Sequence, residues 1–224
     1  MSIYNSNSCR LSKENSLCKP LASIERLSKI ANDDAETFLL PRNRRLPIFD
    51  ISVKPCIYIM TEGRFAISRN SDGLYLTSIN SPLVLGLAMM FEEVLSQERR
   101  HALFSETECR GYKVPAEEAI KKITMLSLWP DVATILAYFL ELLVDRDENL
   151  IGVNAYSMVR YNLIKIIEYS KSERMNINVE KFIHQHTRLS RSGIMKILSD
   201  LRFGGYIDMD RGRLISINNL PENY

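Results

Sequence analysis

In this 224-residue sequence, the residues whose types and spacing most clearly indicate a function are polar side chains at helical spacing near residue 190. Arg191, Ser192 and Lys196 fall on one side of a predicted helix, opposite an apolar stripe made of Ile194, Ile197, Leu198 and Leu201. An arginine near the start of such a helix can present its planar fork to the O6 and N7 acceptors of guanine in the major groove of DNA. The pattern therefore predicts a helix that reads DNA.

Basic and hydroxyl side chains around this helix predict contacts with the DNA backbone. Thr187, Arg188 and Ser190 precede or cap the helix, where unpaired N–H groups and the positive end of the helix dipole attract phosphate. An ordinary amphipathic helix pair with a solvated charged face is the alternative interpretation. The full set of predicted DNA-contacting residues is Thr187, Arg188, Ser190, Arg191, Ser192, Lys196, Arg211 and Arg213.

The elements around the helix favour DNA reading over that alternative. Asn178 is a good N-cap for a preceding helix, a short break follows at 186–189, and Gly204-Gly205 ends the reading helix. Two β-runs, 206–209 and 213–217, then flank a turn-like tripeptide. Helix, tight turn, helix and hairpin in this order predict a winged helix-turn-helix.

A family resemblance rests on these residues. Residues 189–217 resemble the DNA-binding end of the CRP/FNR family of bacterial regulators, through Ser-Arg-x-x-Ile-x-Lys-Ile-Leu-x-x-Leu, then Tyr-Ile and a wing. The C-terminal stretch FIHQHTRLSRSGIMKILSDLRFGGYIDMDRGRLISINNLPENY, with CRGYKV (109–114) and LIGVNAYSMVR (150–160) upstream, is similar to the enterobacterial YaiV/IprA group. That group is named for inhibition of hydrogen peroxide resistance and is a divergent branch of the same superfamily.

The resemblance also implies roles for single residues. By position, Arg191 falls on the guanine-reading arginine of the family, Ser190 on its phosphate-contacting serine and Lys196 on its second basic reader. Ser192 stands where the better-known members carry a base-reading glutamate. Their consensus operator is therefore not implied for this chain.

Short strand-like runs separated by turn residues fill the region from about residue 46. From the residues alone this region is an antiparallel β domain, and the family resemblance implies the β-roll of cyclic-nucleotide-binding domains. The predicted elements of the front half are a helical lead-in over 21–40, strands at 56–60, 64–69 and 74–79, and a strand pair around 103–114.

The elements together predict an α+β fold with an N-terminal cyclic-nucleotide-binding-like β-roll, a long dimerisation helix and a C-terminal winged helix-turn-helix. Residues 154–224 hold 11 Lys/Arg against 7 Asp/Glu, while residues 1–153 hold 18 against 20, as expected of a sensor domain fused to a DNA-binding domain. The predicted boundaries are 1–45 for an N-terminal extension and lead-in helix, 46–128 for the sensor-like roll, 129–153 for the dimerisation helix and 154–224 for the DNA-binding domain.

The long helix carries an apolar face that is too wide for burial against one neighbour. Pro130 suits its first position and Asp131 suits its positive end. An a/d-like series predicts a two-fold seam with a second copy of the chain, formed by Val132, Ile135, Phe139 and Leu142. Two buried core helices in a monomer are the alternative.

Binding of a cyclic nucleotide is not expected. In nucleotide-binding members of the family, a Gly-Glu pair takes the ribose and an Arg followed by Ser or Thr takes the phosphate. Here Leu87 stands at the carboxylate position, and Arg99-Arg100-His101 lacks the hydroxyl partner. A different ligand in the same cavity remains open.

Cofactor, metal and catalytic chemistry have no clear carriers in the sequence. The cysteines lack CxxC spacing and do not indicate a disulfide scaffold or a zinc site; they are Cys9, Cys18, Cys56 and Cys109. The histidines form no metal-spaced set, and no nucleophile–base pair or carboxylate pair is visible. We therefore expect no cofactor, no metal, no catalytic residue and no enzyme.

The expected function is that of a DNA-binding transcription regulator of the CRP/FNR-like type, not gated by cyclic nucleotide. The resemblance implies oxidative-stress or virulence gene control. The alternative is a sensor gated by a ligand or by thiol redox chemistry in the β-roll. The polar N-terminus lacks a signal-peptide core and no apolar run could span a bilayer, so a cytoplasmic location is expected. Expected partners are double-stranded DNA, a second copy and RNA polymerase, with no membrane.

Overall fold

The computed structural model describes residues 17–31, 35–46, 54–91 and 100–222. The chain divides into two compact units. The first comprises Met1–Phe65, Asn80–Arg99 and Ser105–Leu143, and the second comprises Ala66–Ile79, Arg100–Phe104 and Val144–Tyr224. The domain boundaries expected from the sequence stay predictions.

An antiparallel four-stranded sheet organises the first unit. Its strands are β1 (Glu36–Leu40), β3 (Cys56–Glu62), β6 (Leu83–Leu85) and β8 (Cys109–Pro115), in the order β1-β8-β3-β6. In the register, Ile59 of β3 lies between Val84 of β6 and Tyr112 of β8. Every residue from Cys56 to Met60 is buried, so this central strand is covered on both faces.

Helices α1 (Leu21–Ser28), α2 (Ala116–Met125) and α3 (Trp129–Leu150) belong wholly or in their larger part to the first unit. Arg26 of α1 donates through Nη2 to Oδ1 of Asp131 at 2.6 Å, and this hydrogen bond holds the pKa of the Asp131 carboxyl below its usual range. The carboxylate lies in the first turn of α3, where the helix dipole also favours negative charge.

A 3-10 turn, Leu87–Met90, follows β6 and depends on the glycine before it. Gly86 has φ +82°, and a Cβ placed there would lie 2.5 Å from the carbonyl oxygen of Cys56. Only glycine fits both the left-handed backbone and this close approach.

A second four-stranded sheet has the order β2-β7-β4-β5, with β2 at Arg45–Leu46, β4 at Arg64–Arg69, β5 at Tyr75–Asn80 and β7 at His101–Ser105. Residues 70–74 form the turn between β4 and β5, and the two strands with this turn are called the β4–β5 hairpin below. Asp72 orders this turn, because its Oδ1 accepts from the backbone N–H of Leu74 at 3.1 Å.

The C-terminal elements of the second unit are α4 (Ala155–Glu168), α5 (Lys171–Arg174), α6 (Val179–Thr187), α7 (Arg191–Phe203), β9 (Ile207–Asp210) and β10 (Arg213–Ile217). The side chains of Asn154, Asn178 and Ser190 cap α4, α6 and α7 by accepting from the N–H three residues later. One apolar core joins α4, α6, α7, β9 and β10; its members include Val159, Leu163, Phe182, Ile183, Ile194, Leu198, Leu201, Ile207 and Leu214.

Most of the predicted C-terminal elements are confirmed, but the helical lead-in over 21–40 is wrong in its second half. The helix ends at Ser28, and Glu36–Leu40 form a strand paired with β8. Between the two elements the sequence reads Asn32-Asp33-Asp34, residue types that disfavour a continuous helix; these three lie outside the described residues. No helix in the described part of the chain has the length and apolar character needed to cross a membrane.

Candidate nucleic-acid interface

Helix α7 begins at the cap that the sequence predicted. Ser190 has an extended backbone, and its Oγ accepts from the N–H of Gly193 at 3.1 Å. The N–H groups of Arg191 and Ser192 precede the first intrahelical hydrogen bond, so helix geometry leaves them available to an anion. Ser192 extends the polar start of the helix, because its Oγ lies 3.3 Å from that of Ser190.

The two faces of α7 separate as predicted. Ile194, Leu198 and Leu201 are buried in the core of the second unit. Arg191, Ser192 and Lys196 are exposed, together with the apolar side chain of Met195. The buried face therefore fixes which side chains α7 presents to a groove.

Arg191 has an acidic neighbour that the sequence pattern did not predict. Its Nε lies 3.3 Å from Oε2 of Glu180, which stands in the first turn of α6. The arginine side chain is 80% exposed, whereas that of Glu180 is only 16% exposed. Glu180 thus places a negative charge against one edge of an exposed guanidinium.

The turn between α6 and α7 holds two predicted phosphate ligands in different situations. Thr187 already donates through Oγ1 to the carbonyl of Ile183 at 2.7 Å and accepts from the N–H of Leu189 at 3.2 Å. Arg188 is exposed, and its backbone adopts the left-handed conformation, with φ +65°. Its N–H donates to the carbonyl of His184 at 3.0 Å. The Arg188 side chain makes an ion pair as well, because its Nη2 lies 3.6 Å from Oδ2 of Asp72.

The wing supplies one arginine at its tip and one at its base. Asp210 pairs with Arg213, so Arg211 and Gly212 form a two-residue turn in which both have positive φ, +46° and +79°. Arg211 is exposed at this tip. Arg213 instead donates through Nε to the carbonyl oxygen of Met175, which occupies part of its guanidinium.

The wing tip and helix α7 both contact the start of α6. The N–H of Val179, the first residue of α6, donates to the carbonyl of Gly212 at 2.9 Å, and the next residue, Glu180, contacts Arg191. Arg211 and Arg191 therefore flank the start of α6. Of the predicted DNA contacts, Arg213 is the one whose side chain is turned toward the end of α5.

The residues that correspond to the nucleotide-binding motifs of the family are described only in part. Leu87 is buried, and Arg99 lies outside the described residues. Burial, with Arg69 and Arg100 nearby, lowers the pKa of His101 and so disfavours the charged form of its imidazole. Among the residues that the structure describes, no group of three or more His, Cys, Asp or Glu side chains is arranged to hold a metal ion.

The cysteines differ among themselves. Cys56 and Cys109 are buried free thiols, and burial raises the pKa of Cys109 to about 11, which disfavours the reactive thiolate. Cys18 is disulfide-bonded, a feature that its sequence spacing did not indicate. Cys9 lies outside the described residues.

The predicted dimerisation series lies along one face of α3, and its members differ in burial. Val132 and Ile135 are buried within the chain itself, with exposures of 2% and 0%, so they have no surface left for a partner. Phe139 and Leu142 are half-buried. The apolar residues that stay exposed on this helix are Ala133, Ala137, Leu140, Leu143 and Val144.

Sequence comparisons identify relatives over most of the chain. Residues 155–222 match a family model described as winged helix-turn-helix DNA binding. The chain is similar to the inhibitor of hydrogen peroxide resistance of Escherichia coli, with 33% identity over 210 residues that cover 93% of this chain and 99% of the relative. The protein of the same name from Salmonella typhimurium is 32% identical over 209 residues, again covering 93% and 99%.

Solved structures share the fold at low sequence identity. The c-di-GMP-responsive global regulator CLP of Xanthomonas campestris gives a TM-score of 0.64 at 16% identity and covers 89% of this chain and 100% of its own. FixK2 of Bradyrhizobium japonicum gives 0.64 at 16%, with 83% and 93% covered. A CRP/FNR-family transcriptional regulator of Thermus thermophilus gives 0.59 at 18%, with 81% and 94% covered. The fold is thus the predicted β-roll, long helix and winged helix-turn-helix.

Replacing Arg211 by Asn is expected to stabilise the fold and weaken DNA binding at the same time. Asn tolerates positive φ in a two-residue hairpin turn better than Arg, so the free energy of unfolding should rise by up to about 1 kcal/mol. Loss of one phosphate contact should lower the slope of log affinity against log salt by about one. Thermal unfolding and fluorescence anisotropy with duplex DNA measure the two effects.

Arg211→Lys is the matched control, because it keeps both the charge and the unfavourable backbone. It should unfold at the parent temperature and retain most of the DNA affinity. If Arg211→Asn kept the parent affinity and salt slope, the wing tip would not contact DNA.

Proposed function

We propose that this chain reads DNA through Arg191. The chain belongs to the family of the inhibitor of hydrogen peroxide resistance, and its fold is that of the CRP/FNR regulators. The chain is a DNA-binding transcription regulator, with its winged helix-turn-helix at residues 155–222. The observation that carries the detailed proposal is the exposed Arg191 at the start of α7, held on one edge by Glu180.

In this proposal Arg191 donates to O6 and N7 of a guanine in the major groove, with Lys196 one turn along as a second basic contact. Glu180 is a positioning residue. It restricts the guanidinium to fewer orientations, and its own negative charge repels phosphates that would otherwise capture the arginine nonspecifically. Arg191 would therefore favour one base pair over the rest of the duplex.

The backbone contacts surround this reader. Ser190, Ser192 and the first N–H groups of α7 form a neutral donor cluster at the positive end of the helix dipole. Arg188 and Arg211 add charge on either side, from the turn and from the wing. Thr187 and Arg213 have smaller parts in the proposal, since both already bond to carbonyl oxygens of the chain.

Arg191→Ala should remove sequence preference while leaving weak nonspecific binding. The loss is expected to be about 1–3 kcal/mol at one base pair in each half-site. Lys196→Ala should have a smaller effect. Selection of bound duplexes from a random pool, followed by competition with single-base variants, measures the discrimination directly.

Glu180→Gln separates positioning from general charge effects in the same assay. It should strengthen nonspecific binding but lower the preference for the guanine read by Arg191, two changes of opposite sign. The assignment fails if Arg191→Ala discriminates among the selected sites as well as the parent does.

We also propose a homodimer whose seam runs along the exposed stripe of α3. Ala133, Ala137, Leu140 and Val144 recur at intervals of four, three and four residues, which is the a/d repeat of a two-stranded helix pair. Phe139 and Leu142 would then lie beside this seam. Symmetric pairing places two reading helices one helical turn of DNA apart.

Leu140→Glu is expected to convert the dimer to a monomer and to weaken DNA binding. Leu140 is 61% exposed in the single chain, so the charge should leave the protomer folded but be buried without a partner in the seam, at a penalty of several kcal/mol. Leu126→Glu, at an exposed leucine outside α3, is the control and should remain dimeric. Sedimentation decides, and a dimeric Leu140→Glu with unchanged DNA affinity would place the seam elsewhere.

The proposal extends to the target genes, the location and the partners of the protein. Its target genes would belong to the oxidative-stress response, as the name of the relatives suggests, or to virulence gene control. We propose a cytoplasmic protein without enzymatic activity that acts together with RNA polymerase. Buried Leu87 supports regulation without a cyclic nucleotide, because its side chain cannot pair with a sugar hydroxyl.

A second candidate function is a sensor gated by thiol redox chemistry, and the disulfide at Cys18 favours it. In a reducing compartment, such bonds are more often redox-responsive than structural. The buried thiols Cys56 and Cys109 are poor candidates for the reactive group.

If Cys18 gates DNA binding, reduction with dithiothreitol should change the affinity of the parent for DNA several-fold. Cys18→Ser should show the affinity of the reduced protein and should not respond to dithiothreitol. Cys56→Ser serves as the control and should respond like the parent. Equal affinities of the oxidised and reduced parent would exclude this gate.

A further inference from the structure

The end of α6 contacts the β4–β5 hairpin through three pairs of side chains, all within the second unit. Nη2 of Arg188 lies 3.6 Å from Oδ2 of Asp72. Nε2 of Gln185 donates to the hydroxyl of Tyr75 at 3.3 Å. The third pair joins Nε2 of His186 and Oγ of Ser78 at 3.1 Å.

Asp72 is a fixed anion in this contact. Nε and Nη2 of Arg69 donate to its two carboxylate oxygens at 3.0 and 2.6 Å, and the N–H of Leu74 donates as well. These bonds, with the charge of Arg188, hold the pKa of Asp72 well below its usual range. The carboxylate is therefore ionised at any pH at which the protein would bind DNA.

Ring packing adds an apolar anchor beside the polar contacts. The buried ring of His186 stacks on Phe182 at 4.1 Å between centroids and meets Tyr75 edge-on at 5.5 Å. Its Nδ1 lies 2.8 Å from the carbonyl oxygen of Phe182. The hairpin thus holds the last turn of α6, the turn that leads directly into Arg188.

The carboxylate of Asp72 occupies the kind of position that a DNA phosphate would take on Arg188. A phosphate brought to the same guanidinium would meet the fixed negative charge of Asp72 at short range. Arg188 cannot neutralise a phosphate fully while Asp72 remains beside it. Contact with the hairpin and contact with DNA therefore compete.

We propose that the β4–β5 hairpin is an autoinhibitory clasp: it holds Arg188 and the end of α6, and DNA binding with full affinity requires its release. The inference rests on the proposed DNA contact of Arg188 and goes beyond it. Any signal that displaces residues 70–78 would raise the DNA affinity without touching the reading helix.

Asp72→Asn tests the clasp directly, with a random-sequence duplex of about three helical turns as the probe. Asn keeps an oxygen that can accept from the N–H of Leu74 but removes the negative charge. The affinity should rise about two- to fivefold, the range expected when a partly exposed ion pair is lost as a competitor. Glu148→Gln is the charge-matched control, since Glu148 is an exposed acid of α3 in the same unit, and it should leave the affinity near that of the parent.

A double-mutant cycle assigns the effect to Arg188. In an Arg188→Ala background, Asp72→Asn should give no gain, because no guanidinium remains to be released. Tyr75→Phe, which removes only the hydroxyl that accepts from Gln185, should raise the affinity of the parent in the same direction as Asp72→Asn.

The outcomes separate this inference from the proposed function. A parent that fails to bind the duplex would defeat the proposed function itself. A parent that binds, with Asp72→Asn matching Glu148→Gln or showing the same gain with and without Arg188, would overturn the clasp and leave DNA reading intact.

Discussion

Burial of one face of α7 is the constraint on which the candidate interface depends. Ile194, Leu198 and Leu201 lie in a core shared with α4, α6, β9 and β10. Each such side chain contributes roughly 1.5–3 kcal/mol when buried, whereas an exposed ion pair contributes at most about 1 kcal/mol. The apolar stripe therefore sets the rotation of the helix, and Arg191 and Lys196 take the positions that this rotation leaves to them.

The parts of the fold that the sequence predicted well are those governed by local signals. The caps at Asn154, Asn178 and Ser190, the glycines after α7 and the apolar period within it each act over a few residues. Their effects do not depend on a distant partner. The winged helix-turn-helix could accordingly be predicted element by element, down to the turn between its two wing strands.

The features that the sequence did not predict depend on distant pairing. The strand at Glu36–Leu40 forms because β8 pairs with it. The same five residues fit a helical pattern almost as well, so the sequence alone did not indicate a strand. An a/d repeat cannot distinguish burial inside a chain from burial between copies, which is why Val132 and Ile135 were expected in a seam. The clasp joins residues that lie at least 108 positions apart along the chain, the separation of Ser78 and His186.

The positive backbone φ angles of Arg188 and Arg211 have a consequence for the evolution of this chain. At both positions glycine or asparagine suits the backbone better, so drift governed by folding alone would replace the arginines. Each substitution of that kind would look neutral or beneficial to a selection on stability. The two positions are thus expected to keep arginine only in lineages where binding is under selection, and they would be among the first to lose it once regulation is relaxed.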